Sequence, residues 1–149
     1  MDTVVIGGGA AGLASAATLK RRGLDPVVLE RGPEVGWSWR GRYDRLHLHT
    51  VRWLSGLPGH AIPRRYGKWV PRDRVCDYFR EYAERNRLDV RYGVEALRIE
   101  RTAGGWRVET STETLEAPRV VVATGYNARP LLPDWPGSDR FPGTLIHSS

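Results

Sequence analysis

Apolar and polar positions along the chain fall into a few recurring patterns. Thr3-Val4-Val5-Ile6 and Pro26-Val27-Val28-Leu29 are short continuous apolar runs, as in parallel strands buried on both faces. Between them Leu13, Ala14, Ala16, Ala17 and Leu19 recur at helical spacing. The helix they predict opens in a glycine run, carries Lys20-Arg21-Arg22 in its last turn and stops at Gly23. Residues 3–30 therefore read as one β-α-β unit. A second helix is predicted from Asp73 to Asn86, with Val75, Tyr78, Phe79 and Tyr82 as its apolar stripe. Asp77–Arg80 and Glu81–Arg85 are spaced as ion pairs on its wet side.

Leu88 to Tyr92 predicts a third strand. Ala96–Arg101, Trp106–Thr110 and Thr114–Ala117 alternate and are separated by polar or Gly-Gly turns, so an antiparallel meander is expected over roughly 94–118. Arg119-Val120-Val121-Val122-Ala123-Thr124-Gly125 predicts another buried strand. Residues 31–70 read as irregular, and a loop of that length in a compact domain is usually functional. The predicted class is α/β: a Rossmann-like parallel sheet from strands near 3–6, 26–29, 88–92 and 119–123, with the meander inserted.

Composition narrows the function classes. The 149 residues, 40% hydrophobic and 27% charged, suit one globular domain and exclude disorder. No run of eighteen apolar residues is present, so no membrane span is expected. The start lacks a basic region before its first apolar run, so no cleaved leader is expected. Cys76 is the only cysteine, which excludes intrachain disulfides and multi-cysteine zinc sites and points to a reducing cytoplasm. It sits on the apolar side of the second helix and reads as a buried, inert thiol. The net charge of +6 is almost all arginine, with only Lys20 and Lys68 as lysines. Acids are interspersed and no block of five like charges occurs, so no nucleic-acid partner is expected. His47 and His49 lack a third ligand at sensible spacing, so no metal is expected.

The candidate chemistry lies in Gly7-x-Gly9-x-x-Gly12, which follows a strand and opens a helix. Gly7 allows the tight turn, Gly9 lets a pyrophosphate approach the backbone, and Gly12 lets the helix close on the strands. The helix N-terminus offers unpaired N–H groups to the phosphates. Glu30, at the end of the second strand, is placed to accept hydrogen bonds from a ribose hydroxyl pair. A carboxylate there repels a 2′-phosphate, so the site should hold FAD or NAD rather than NADP. The fingerprint itself leaves FAD and NAD open.

Further along, Gly36-Trp37-Ser38-Trp39-Arg40, Arg42-Tyr43-Asp44-x-Leu46-x-Leu48-x-Thr50 and Phe141-x-Gly143-x-x-x-His147-Ser148 together resemble segments of the flavin-containing monooxygenases. Residues 1–31 are similar to the FAD-binding start of flavoproteins with two dinucleotide-binding domains. Val120-Val121-Val122-Ala123-Thr124-Gly125 is similar to their "ATG" strand. Gly36-Trp37-Ser38-Trp39-Arg40 resembles the family's G-G-x-W segment, and Arg42-Tyr43-Asp44-x-Leu46-x-Leu48-x-Thr50 resembles the stretch that follows it. Trp69-Val70-Pro71 through Tyr82-Ala83-Glu84-Arg85 is similar to the helix before the third strand. Phe141-x-Gly143-x-x-x-His147-Ser148 resembles the identifying motif. The segments occur in the family's order.

The resemblance implies FAD contacts by Gly7, Gly9, Ala10, Ala11, Gly12, Glu30, Arg31, Ser38, Trp39, Leu46, Thr50, Thr124 and Gly125. It sets Trp39 near the flavin and His147 at a domain junction. Trp37 departs from it, standing where the family has glycine. Val51-Arg52 also departs, replacing a frequent Pro-Lys. The activity implied is FAD-dependent, NADPH-linked monooxygenation of a small-molecule substrate. No second G-x-G-x-x-G occurs, so residues 1–149 read as an FAD-binding domain ending before the NADPH domain, with no catalytic acid or base to name. The alternatives are a non-catalytic FAD-binding module or gene remnant, and an NAD-linked oxidoreductase of another family.

Overall fold

The structure, a computed structural model, describes residues 1–125, 131 and 133–146. His147 and Ser148 of the identifying motif lie outside the described residues. Strands β1 (Thr3–Ile6), β2 (Pro26–Glu30), β3 (Asp89–Tyr92) and β7 (Arg119–Val122) form a parallel sheet in the order β3-β2-β1-β7. Strands β4 (Ala96–Thr102), β5 (Gly105–Thr110) and β6 (Thr114–Ala117) form a separate antiparallel sheet. Helices α1 (Ala10–Arg21) and α3 (Arg72–Arg85) complete the α/β class that the sequence pattern predicts.

Alternation along the strands decides the layers. Val5 and Val28 point toward Ala16 of α1. Val4, Ile6, Val27 and Leu29 point the other way and pack on Val108, Leu115 and Ala117 of the meander. The parallel sheet is thus covered by helices on one face and by the meander on the other, which is why every position of β1 and β2 is buried. A second apolar cluster joins Leu13 and Ala17 of α1 to Val75, Tyr78, Phe79 and Tyr82 of α3. The α1 end is set by Gly23 and Leu24, whose N–H groups bond the Lys20 and Leu19 carbonyls at 3.0 and 3.2 Å in a Schellman arrangement.

Three expectations change. β7 is the sheet edge rather than a buried strand, and Val122 is 62% exposed because only β1 flanks it. Glu81 does not pair with Arg85: its carboxylate takes Arg65 at 2.6 Å and the Tyr66 hydroxyl at 2.7 Å. The stretch 31–70 is not wholly irregular, since Trp37–Arg40 forms the short helix α2 and Arg52–Leu54 and Arg64–Tyr66 are 3-10 turns.

Candidate functional site

The chain leaves β1 for β2 on one side and returns as β7 on the other. A crevice therefore opens beyond the carboxyl ends of these strands. It is a cleft of about 1020 Å3. Its floor is Ile6 to Ala11, one wall is Leu29, Glu30 and Arg31, and the opposite wall is Val122 to Gly125. Trp37, Ser38 and Trp39 of α2 close it, with Arg42, Tyr43, Leu46 and His49 beyond them.

Each glycine of the fingerprint has its own reason. Gly7 has φ +110°, and a Cβ there would overlap the Ala123 carbonyl oxygen. A Cβ on Gly12 would overlap the Gly7 carbonyl oxygen, so Gly12 sets how closely α1 seats on the strands. Gly9 differs from both. Its φ −87° and ψ −171° are extended and open to any residue. A Cβ on Gly9 would meet no protein atom within 4 Å.

Gly9 is also the N-cap of α1. No side chain caps the helix, and no acid lies in its first turn. The first-turn N–H groups have no partner within the helix, and Gly9, Ala10 and Ala11 line the cleft floor. The arrangement suits an anion.

Glu30 is 8% exposed at the end of β2. Its Oε2 accepts the Gly8 N–H at 2.9 Å and its Oε1 accepts the Gly32 N–H at 2.7 Å. Each oxygen keeps a further lone pair for a hydroxyl donor. The acid and the uncapped helix end thus share one cleft.

The α2 segment is held from behind. Gly36 has φ +71°, and its N–H donates to the Gly8 carbonyl at 2.9 Å. Glu34 bridges Arg40 of α2 and Arg80 of α3, both at 2.8 Å. These guanidiniums, Arg40 first, hold the Glu34 carboxyl below its ordinary range. Trp39 meets Phe79 edge-on, with ring centroids 6.5 Å apart.

Of the residues singled out from the sequence, Gly7, Gly9, Ala10, Ala11, Glu30, Arg31, Ser38, Trp39, Leu46, Thr124 and Gly125 line the cleft. Gly12 lies beneath it. Thr50 does not line it, and its hydroxyl lies 2.6 Å from that of Ser55. Trp37, Tyr43 and Val94 to Ala96 also line the cleft and were not among the expected cofactor contacts. Val94 to Ala96 follow β3, so the rule that ligands sit beyond the strand ends was the signal available for them. Cys76 is 1% exposed, and burial raises its thiol pKa. Among the described residues no cluster of three or more His, Cys, Asp or Glu is placed to hold a metal. No described helix is long and apolar enough to cross a membrane.

The chain is similar to rice indole-3-pyruvate monooxygenase YUCCA1, with 39% identity over 98% of this chain and 37% of that protein. A double mutant of the flavin monooxygenase from Stenotrophomonas maltophilia superposes with a TM-score of 0.92. Its identity is 30%, over 99% of this chain and 44% of that one. OTEMO, solved in complex with FAD and NADP, gives a TM-score of 0.78 at 25% identity, over 100% of this chain and 30% of that one. The resemblance to flavin-containing monooxygenases is borne out by these relatives, and the chain spans less than half the length of each. The pyridine nucleotide-disulphide oxidoreductase family matches residues 4–148. This chain belongs to that family.

Proposed function

We propose that the chain is the FAD-binding part of an NADPH-linked flavin monooxygenase acting on a small molecule. Gly9 carries this reading. Nothing inside the protein requires glycine there, since the backbone is ordinary and a Cβ would find open space. The space it would fill lies in the cleft floor, over the uncapped end of α1. A glycine that the fold does not require is explained by a ligand that approaches the backbone.

The residues present fit FAD. The N–H groups of Gly9, Ala10 and Ala11 would hold the pyrophosphate, and Glu30 would take the hydroxyls of the adenosine ribose. Thr124, Gly125, Ser38, Trp39 and Leu46 would line the remainder. Gly12 contributes by letting α1 seat on the Gly7 turn, and Thr50 has no direct part. Bound flavin supplies redox and oxygen-activating chemistry, while the protein orients it and shields it from water. Kinship with OTEMO, solved with FAD and NADP, supports NADPH as the electron source. A single buried, unpaired cysteine supports a reducing, cytoplasmic setting.

Calorimetric titration of the folded chain with FAD and, separately, with NAD tests the reading. Saturable FAD binding at one site per chain is expected. Binding of NAD alone would overturn it.

A further inference from the structure

Trp37 and Trp39 both line the cleft, but they are held differently. Trp39 packs on Phe79 and belongs partly to the core. Trp37 is 41% exposed and packs against Gly32. A Cβ on Gly32 would overlap Cβ, Cγ and Cδ1 of Trp37, so this glycine leaves the space in which the indole is rooted. Gly32 donates its N–H to Glu30 Oε1 at 2.7 Å. On the other flank Gly36, just before Trp37, donates to the Gly8 carbonyl, and Gly8 donates to Glu30 Oε2. The indole is therefore rooted on the loop that the Glu30 carboxylate clamps, next to the β2 end of the cleft. A carboxylate for sugar hydroxyls and a flat ring rooted on the same loop match a nucleoside: an acid for the ribose and a stacking face for the base.

We propose that Trp37 is the aromatic wall of the adenosine half of the cleft, stacking on the adenine end of the dinucleotide. This rests on the FAD reading above. It makes Trp37 a determinant of affinity for an adenine-bearing flavin at a position where the resembled family has glycine.

The test is a titration of FAD into the wild-type chain, Trp37→Leu and Trp37→Phe, following both affinity and the emission of bound flavin. Leucine keeps apolar bulk over Gly32 but has no ring, and circular dichroism checks that each variant is folded. Trp37→Leu should bind FAD about tenfold more weakly, within the range of base–aromatic stacking. Trp37→Phe should stay within about threefold, because it keeps a stacking face. Emission per bound flavin should match in all three chains. Equal affinity in wild type and Trp37→Leu overturns the proposal and leaves the FAD site standing. Brighter bound flavin in Trp37→Leu would put the indole on the isoalloxazine and also overturn it. A wild-type chain that binds no FAD overturns the underlying reading instead.

Discussion

The carboxylate of Glu30 accepts the backbone N–H of Gly8 at 2.9 Å, which ties the acid at the end of β2 to the turn at the end of β1. Its other oxygen accepts the Gly32 N–H at 2.7 Å. Glu30 thus shapes the cleft before it meets a ligand. The residue expected to read a ribose is also the clamp that joins the glycine turn to the loop leading into α2.

Glu30→Ala should therefore destabilise the chain without any cofactor. Both backbone donors lose their partner in a buried place, at about 1–3 kcal/mol each. Urea unfolding of the cofactor-free chain measures the loss. Unchanged stability would show that Glu30 serves the ligand alone.

Gly32 and Trp37 should be energetically coupled. Gly32→Ala drives a methyl into the indole, and overpacking of this kind costs about 1–3 kcal/mol. In a Trp37→Gly background, which removes the Cβ as well as the ring, the methyl has room, so the cost should largely vanish. A double-mutant cycle by denaturant unfolding gives the coupling directly. Additive effects would mean that the loop yields elsewhere.

Glu34 predicts an acid-sensitive link between α2 and α3. Its carboxyl sits below the ordinary value in the folded chain, through Arg40 first and Arg80 second. The bridge is fully present above the ordinary carboxylate pKa, about 4.3, and is lost as pH falls through the depressed folded value. Glu34→Gln should therefore melt below wild type at pH 7, with the gap closing in strong acid. A gap independent of pH would assign the effect to packing.

The parts of this fold that were legible in the sequence are those decided by local sterics. Gly7 is required by its own positive φ and Gly12 by the Gly7 carbonyl oxygen, so their spacing announces the turn. The apolar runs of β1 and β2 announce a sheet covered on both faces. What was not legible depends on partners distant in the chain. Helix α2 is only four residues long and is held by Gly8, Phe79 and Arg80. Glu81 looked paired within its own helix, yet Arg65 arrives from a separate turn. Trp37 read only as a missing glycine, because nothing local shows that Gly32 makes room for its ring. Val122 continues an apolar run, and only the strand order reveals that it lies on an edge.

These 149 residues hold one dinucleotide fingerprint. NADPH oxidation by this chain with added FAD should then stay near the rate of free FAD. No second G-x-G-x-x-G occurs in this sequence to hold the nicotinamide in near-attack geometry. Turnover well above the free-flavin background, saturable in NADPH, would contradict this.

Gly9→Val tests the central claim most directly. The valine Cβ meets no protein atom within 4 Å and the extended backbone suits it, so the expected cost to folding is a weaker helix cap of about 1 kcal/mol. Where a pyrophosphate approaches Gly9, the same side chain blocks it. Parallel circular dichroism and FAD titration of wild type and Gly9→Val give the answer. The account predicts unchanged secondary structure with FAD binding lost. Undiminished FAD affinity in folded Gly9→Val would contradict it.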